Sequence, residues 1–281
     1  MNRRSFVRSI TLGSGVIAST DLFVRKEKMK LHFLRHATLF VIAGDIKILV
    51  DPMLSAKGMM EPVKVSRNSD RIPLADLPID ESELKKELDS LDAVIVTHTH
   101  RDHWDEKSKE LINKKLPLIC QPSDTDMLKG QGFENTLSVN TTIDFKGLKI
   151  SRTDGQHGTG EIGLRMGHVS GFVIEYQKQK LYIAGDTIWC TEVEQALLLH
   201  NPTHIVLNAG AARFDQGGSI TMTAEDVAKV CTTARTSKVV AIHMEAVNHC
   251  DLTREGLRKH LSEKKLDNSC LIPKDGDWIA L

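Results

Sequence analysis

Thr97-His98-Thr99-His100-Arg101-Asp102-His103 follows directly on Leu91-Asp92-Ala93-Val94-Ile95-Val96, and residues 105–115 then carry helical spacing and charge. The apolar, β-branched run predicts a buried strand ending at Thr97, so the histidine string falls on a strand-to-helix loop. His98 and His100 are two apart and face the same side of a continuing strand, while Asp102 and His103 follow where the chain turns. Four potential metal ligands therefore lie within six residues. Neutral imidazoles suit zinc and related transition ions, with Zn–N distances of about 2.0–2.1 Å, and a carboxylate adds charge compensation for a second ion.

Upstream, residues 31–34 and 45–50 read as strands, joined through Thr38-Leu39-Phe40-Val41-Ile42 and a Gly44-Asp45 turn. Residues 52–90 are less regular, with Pro62, Pro73 and Pro78, and end in a helix over 82–88. So long an excursion is a candidate lid beside the site, an ordinary surface loop being the alternative. Downstream, a strand over 147–152 leads into Asp154-Gly155-Gln156-His157-Gly158, and strands 171–176 and 180–184 pair before Gly185-Asp186-Thr187. Helices over 192–200, 223–233 and 253–262 alternate with strands 205–207 and 239–242, the second of which ends at His243, and a last strand lies near 278–281. Hairpins followed by strand–helix alternation predict sheets packed face to face with helices outside, in one domain.

Lys plus Arg and Asp plus Glu each total 37 of the 281 residues, so the formal net charge is zero, and no single-sign block suggests a nucleic-acid partner. Cys120, Cys190, Cys231, Cys250 and Cys270 form no C-x-x-C pair, which excludes a ribbon zinc site and a dithiol redox centre; each reads as a small buried residue. No apolar run reaches the roughly 18 to 20 residues needed to span a bilayer. Asn2-Arg3-Arg4-Ser5-Phe6-Val7-Arg8, followed by a short apolar segment over 10–18, resembles a twin-arginine export signal. Residues 1–28 are accordingly an expected export leader to the periplasm, with a basic tail on a cytoplasmic protein as the alternative, and 29–281 form the folded domain.

The whole string H-x-H-x-D-H at the end of an apolar strand resembles that of the metallo-β-lactamase-fold hydrolases, and the resemblance covers about residues 29–281. It implies an α/β fold, the four-layer αββα sandwich. Phe33-Leu34-Arg35-His36-Ala37-Thr38, Leu49-Val50-Asp51-Pro52 and residues 97–105 are most similar to the branch holding ascorbate-6-phosphate lactonases and N-acyl phosphatidylethanolamine phospholipase D. The resemblance implies two divalent ions, zinc ahead of manganese: His98, His100 and His157 on one, Asp102, His103 and His243 on the other, and Asp186 as bridge. Read alone, His157, Asp186 and His243 would be loop or cap residues. His249 and Glu245 compete with His243, but direct attachment to the apolar strand favours His243, leaving the other two to support the site or face solvent. Asp51 either orients a ligand histidine or caps the turn before Pro52. His36 is expected near the substrate, a satisfied histidine at a strand end being the alternative, and Asn208-Ala209-Gly210-Ala211 either lines the rim or makes a sharp turn. His32, His168, His200, His204 and His260 read as ordinary residues.

Two ions roughly 3.5–4 Å apart would lower the pKa of a bridging water, with Asp102 orienting it and relaying a proton. The implied activity is metal-dependent hydrolysis of an ester-like bond in a small molecule, a lactone or phosphodiester ahead of a β-lactam. A metal-binding or ligand-sensing module without turnover, a nuclease and a β-lactamase are the alternatives; neutral charge and the lack of a large inserted domain count against the nuclease. Two features depart from the branch: its lactonases are typically cytosolic, and no amphipathic membrane segment supports a phospholipase.

Overall fold

A computed structural model describes residues 28–281, so all but the last residue of the expected leader lies outside the described residues. The first half opens as an antiparallel meander of β1 (Lys30–Arg35), β2 (Thr38–Ala43) and β3 (Ile46–Val50), then adds β4 (Ala93–Val96), β5 (Leu118–Cys120) and β6 (Thr136–Ser138) in parallel. Helices α1 (Glu81–Asp89), α2 (Glu106–Leu111) and α3 (Thr125–Gly130) connect them. The second half repeats the plan. Antiparallel β7 (Thr142–Phe145), β8 (Leu148–Asp154), β9 (Ser170–Tyr176) and β10 (Gln179–Ile183) give way to parallel β11 (His204–Asn208), β12 (Lys238–Ile242) and β13 (Cys270–Leu271). Its helices are α4 (Gly160–Met166), α5 (Thr191–His200), α6 (Ala224–Thr233) and α7 (Arg254–Glu263). The final strand, β14 (Trp278–Ala280), crosses back to pair with β1 and closes the first sheet.

Each sheet thus has seven strands, in the orders β14-β1-β2-β3-β4-β5-β6 and β13-β12-β11-β10-β9-β8-β7. Leu31, Phe33, Val41 and Ile95 of the first meet Ile150, Phe172, Ile174 and Val206 of the second in a central core. The opposite faces carry helices: α1 packs Leu84 and Leu88 with Leu49 and Val94, while α5, α6 and α7 pack Val193, Val227 and Leu257 with Ile205 and Val239. This is the expected αββα sandwich.

Local chemistry sets the helix starts. Asp80, Asp105, Thr223 and Thr253 each accept a backbone N–H of the first turn, and Thr223 with Asp226 completes a reciprocal capping box. Residues 38–42, read as a joining segment, make the strand β2 instead; buried on both faces, it lacks the alternation that marks a half-exposed strand. Helix α2 stops at Leu111, short of the expected 115, because Ile112 turns to extended backbone and drops into the outer core.

The excursion over 52–80 is latched down. The fully buried guanidinium of Arg35 donates to the carbonyls of Ala75 (2.7 Å), Met53 (2.9 Å) and Ser55. Burial lowers its pKa to about 10, against the opposing pull of Asp105, Asp275 and Asp76, so it remains a cation at neutral pH. Met60 and Ile72 form a bridge farther out. Because Arg35→Leu would strand three carbonyl acceptors, we expect it to lower the unfolding free energy by about 2–4 kcal/mol, measurable by urea denaturation.

Candidate functional site

Polar side chains gather where strands of both sheets end. Asp51 follows β3, His98 follows β4, His157 follows β8, Asp186 follows β10 and His243 follows β12, all along one edge of the sandwich. Ligand sites outside the carboxyl ends of strands are the rule in such sheets, because the strands fix where each loop begins. Sharp backbone turns bring these residues inward. His36, Asp51 and His243 have left-handed φ values of 55°, 44° and 74°, conformations that non-glycine residues hold only when surroundings enforce them. Gly185 (φ 69°) precedes Asp186, and a Cβ there would sit 2.5 Å from the Ser170 carbonyl oxygen, so only glycine lets the two loops touch.

Two clusters result. His98 Nε2 lies 2.9 Å from His100 Nδ1, which lies 3.3 Å from His157 Nε2. In the second, His103 Nε2 lies 3.2 Å from His243 Nε2, and Asp102 joins with its Oδ2 3.9 Å from His103 Nε2. Asp186 stands between: Oδ2 is 3.6 Å from His157 Nε2 and 3.2 Å from His103 Nε2, and Oδ1 is 3.1 Å from His243 Nε2. All seven residues expected to bind metal therefore converge.

Hydrogen bonds behind the rings decide which nitrogen each presents. Nδ1 of His157 donates to the Ile220 carbonyl (2.7 Å), Nδ1 of His103 to Asp51 Oδ2 (2.9 Å), and Nδ1 of His98 to Thr97 Oγ1 (3.1 Å). Thr97 Oγ1 in turn donates to Asp51 Oδ2 (2.7 Å), and Thr97 N to Asp51 Oδ1 (2.8 Å), so one carboxylate orients two rings. Nε2 of His98, His103 and His157 is left facing the centre. Asp51 thus takes the orienting role rather than the cap. Asn208 Nδ2 donates to Asp186 Oδ1 (2.7 Å), a function that the small-residue rim segment did not disclose.

His36 is fully buried behind the centre. Its Nε2 is 3.1 Å from Asp102 Oδ2 and its ring is tilted against that of His243 with centroids 3.6 Å apart, so it converges on the second cluster from behind and does not reach the cavity where a substrate would sit. Asn208, Thr97 and the Ile220 carbonyl were beyond sequence reasoning, since each acts through a contact between distant segments.

The donor set fits a metal. The imidazole nitrogens of the two clusters lie 2.9 to 3.3 Å apart, a spacing that a cation shared among them accommodates. A tetrahedral zinc with the usual bond lengths separates its nitrogens by about 3.3 Å. Asp51, Asp102 and Asp186 are all buried, and among the described residues their ion-pair partners are histidines alone. Burial opposes charge on His103, but Asp186, Asp51 and Asp102 outweigh it and raise its pKa well above the imidazole range. Burial also favours neutral Asp186, yet His103 and His243 hold it well below the carboxylate range. Burial lowers His157 to about 4 and keeps His98 and His243 neutral as well, the state in which imidazole ligates.

The centre opens into a cavity of about 390 Å³, whose floor includes His100, Asp102, His157 and Asp186. Its walls include Pro62 and Val63 from the long excursion, Met166 at the end of α4, and Phe214. A larger groove of about 690 Å³ beside α1 contains none of the seven residues of the centre. The excursion is a wall because Asn248 grips it: Val63 N donates to Asn248 Oδ1 (2.8 Å), and Asn248 Nδ2 donates to the carbonyls of Val63 (3.1 Å) and Asn68 (2.9 Å) and to Ser66 Oγ (2.6 Å).

A family model described as "Beta-lactamase superfamily domain" matches residues 47–244. The UPF0173 protein YddR of Bacillus subtilis is 37% identical over 253 residues, 89% of this chain and 98% of its own. The chain belongs to the UPF0173 family of the beta-lactamase superfamily. Among solved structures, one described as a possible metal-dependent hydrolase from Veillonella parvula DSM 2008 superposes with a TM-score of 0.86 at 30% identity, covering 90% of this chain and 100% of its own. The isothiocyanate hydrolase from Delia radicum gut bacteria superposes with a TM-score of 0.84 at 36% identity, covering 90% and 99%. This UPF0173 protein is a metal-dependent hydrolase with the metallo-β-lactamase fold. No described helix is long and apolar enough to cross a membrane.

In this UPF0173 chain the Asn248 grip should be separable from the metal centre. Asn248→Ala is expected to cost about 1–3 kcal/mol of stability and to open residues 61–71 to limited proteolysis, with bound metal unchanged.

Proposed function

We propose that the protein hydrolyses a small, uncharged, largely apolar electrophile, an isothiocyanate first and a lactone or other ester of similar size second. The observation that carries this is the cavity: a polar, metal-type floor beneath apolar walls of Pro62, Val63, Met166 and Phe214, at a volume suited to a small molecule. A relative of 36% identity acting on isothiocyanates supports the first substrate. The likeness of residues 33–38 and 49–52 to the lactonase and phospholipase branch supports the second. Lys64 and Arg101, the cations at the cavity, are exposed at its mouth, so a phosphodiester has less support.

His98, His100 and His157 would hold one divalent ion, Asp102, His103 and His243 a second, with Asp186 between them and zinc favoured over manganese. Such ions supply Lewis acidity that activates water and polarises the substrate. The chain's own groups do the rest. Asp102, held by His36, borders the cavity; although burial favours its neutral form, His103 and His36 keep its pKa well below the usual range. Its carboxylate is therefore ionised and accepts the proton of the attacking water. Asn208 and Asp51 hold Asp186 and His103 in register, and Pro62, Val63, Met166 and Phe214 present apolar surface to the substrate.

Purified protein loaded separately with zinc and with manganese, assayed on isothiocyanate, lactone, phosphodiester and β-lactam substrates, tests the reading. Amine release from the isothiocyanate is the expected outcome, and turnover of the phosphodiester alone would overturn it. His98→Ala and Asp186→Ala should each lower bound metal and abolish turnover; full metal content in both variants would reject the ligand assignment.

A further inference from the structure

His249 borders the same cavity as His100, Asp102, His157 and Asp186, yet among the described residues it belongs to none of the groups of converging ligand atoms. Its backbone is pinned, with Arg213 N donating to the His249 carbonyl (3.0 Å) and Cys250 bridging Ala212, and its ring lies beside Phe214 with centroids 6.1 Å apart. The residue is only 7% exposed. His98, His103 and His157 each have an acceptor behind Nδ1 that turns Nε2 to the centre, as metal-binding histidines require. Nδ1 of His249 is buried with no hydrogen-bond partner among the described residues. Position therefore separates His249 from the ligands, and bonding separates it from His98, His103 and His157.

A neutral imidazole carries one N–H, on either nitrogen. Burial lowers the pKa of His249, favouring that neutral form. Placed on Nδ1, the proton would be a buried donor without an acceptor, the rarer and more costly way to leave a polar group unpaired. Placed on Nε2, at the opposite edge of the ring from the enclosed Nδ1, it is available to a molecule in the cavity. We propose that His249 is a catalytic residue whose Nε2–H donates a hydrogen bond to the substrate heteroatom on which negative charge develops as water adds. The water oxygen forms a bond to the substrate carbon as its proton passes to the Asp102 carboxylate, the π pair of the C=S, C=N or C=O bond moves to the heteroatom, and the imidazole stabilises that charge while keeping its own proton. A donor fixed before the reaction stabilises developing charge without having to reorganise.

The assignment rests on the hydrolase reading of the cavity, and two measurements keep the two apart. In the first, His249→Phe preserves an aromatic ring beside Phe214 but removes the donor, while His249→Gln restores an N–H near Nε2. His249→Phe should lower kcat by about 10²–10³-fold, with bound metal unchanged and KM within a few-fold, and His249→Gln should recover part of the loss. A kcat within a few-fold of the unmodified protein in His249→Phe, or loss of metal from that variant, would overturn the role. The second measurement needs no substrate: 15N-histidine NMR of the metal-loaded protein at neutral pH should show His249 neutral and protonated on Nε2. Protonation on Nδ1 overturns the proposal, even if every substrate on the panel fails and the hydrolase reading falls separately.

Discussion

Three carboxylates, Asp51, Asp102 and Asp186, lie buried at one edge of the sandwich with imidazoles as their ion-pair partners. Isolated buried carboxylates are strongly unfavourable, and with no lysine or arginine paired to them among the described residues the compensating charge comes from protons on histidine or from a bound cation. That requirement organises the surrounding structure. It explains why the rings are oriented from behind by Asp51, Thr97 and the Ile220 carbonyl. It also accounts for the raised pKa of His103, where a proton provides part of the positive charge when no ion is bound.

The scaffold meets this demand by rigidity. Parallel strands β3, β4, β11 and β12 end at the same edge, held by a core that spans both sheets, so each loop starts from a fixed point. Left-handed backbone at His36, Asp51 and His243 and the close approach at Gly185 then fold the loops inward. Such conformations are unfavourable locally and persist because the packing and the polar network around them over-determine the geometry.

A separate set of contacts shapes what the centre can act on. Arg35 and Asn248 tie the 52–80 excursion to the sandwich through backbone carbonyls, turning a long irregular segment into one wall of the cavity. Asn248 and His249 are adjacent, so the loop after β12 carries a ring of the metal centre, the grip on the wall and an unligated imidazole within seven residues, 243–249. Metal chemistry and substrate contact are joined in one short stretch.

The string from His98 to His103 was legible because a local signal, an apolar strand ending in clustered imidazoles, needs only neighbours in sequence to be read. Helix starts at Asp80, Asp105, Thr223 and Thr253 were close to expectation for the same reason, since a cap bonds within its own first turn. β2 was misread because burial on both faces erases periodicity, and short β5, β6 and β7 passed unread because three or four residues carry little pattern. His157, Asp186 and His243 had no local mark of their own and were reached only through a family resemblance. The sequence by itself determined the two-sheet architecture and the ligand types, because period, capping and residue chemistry are local. Only the tertiary structure decided that His36 supports Asp102, that Asn208 holds Asp186, and that His249 faces the cavity. Each of those assignments depends on contacts between segments far apart in the chain, where distance and burial, not spacing, select the partner.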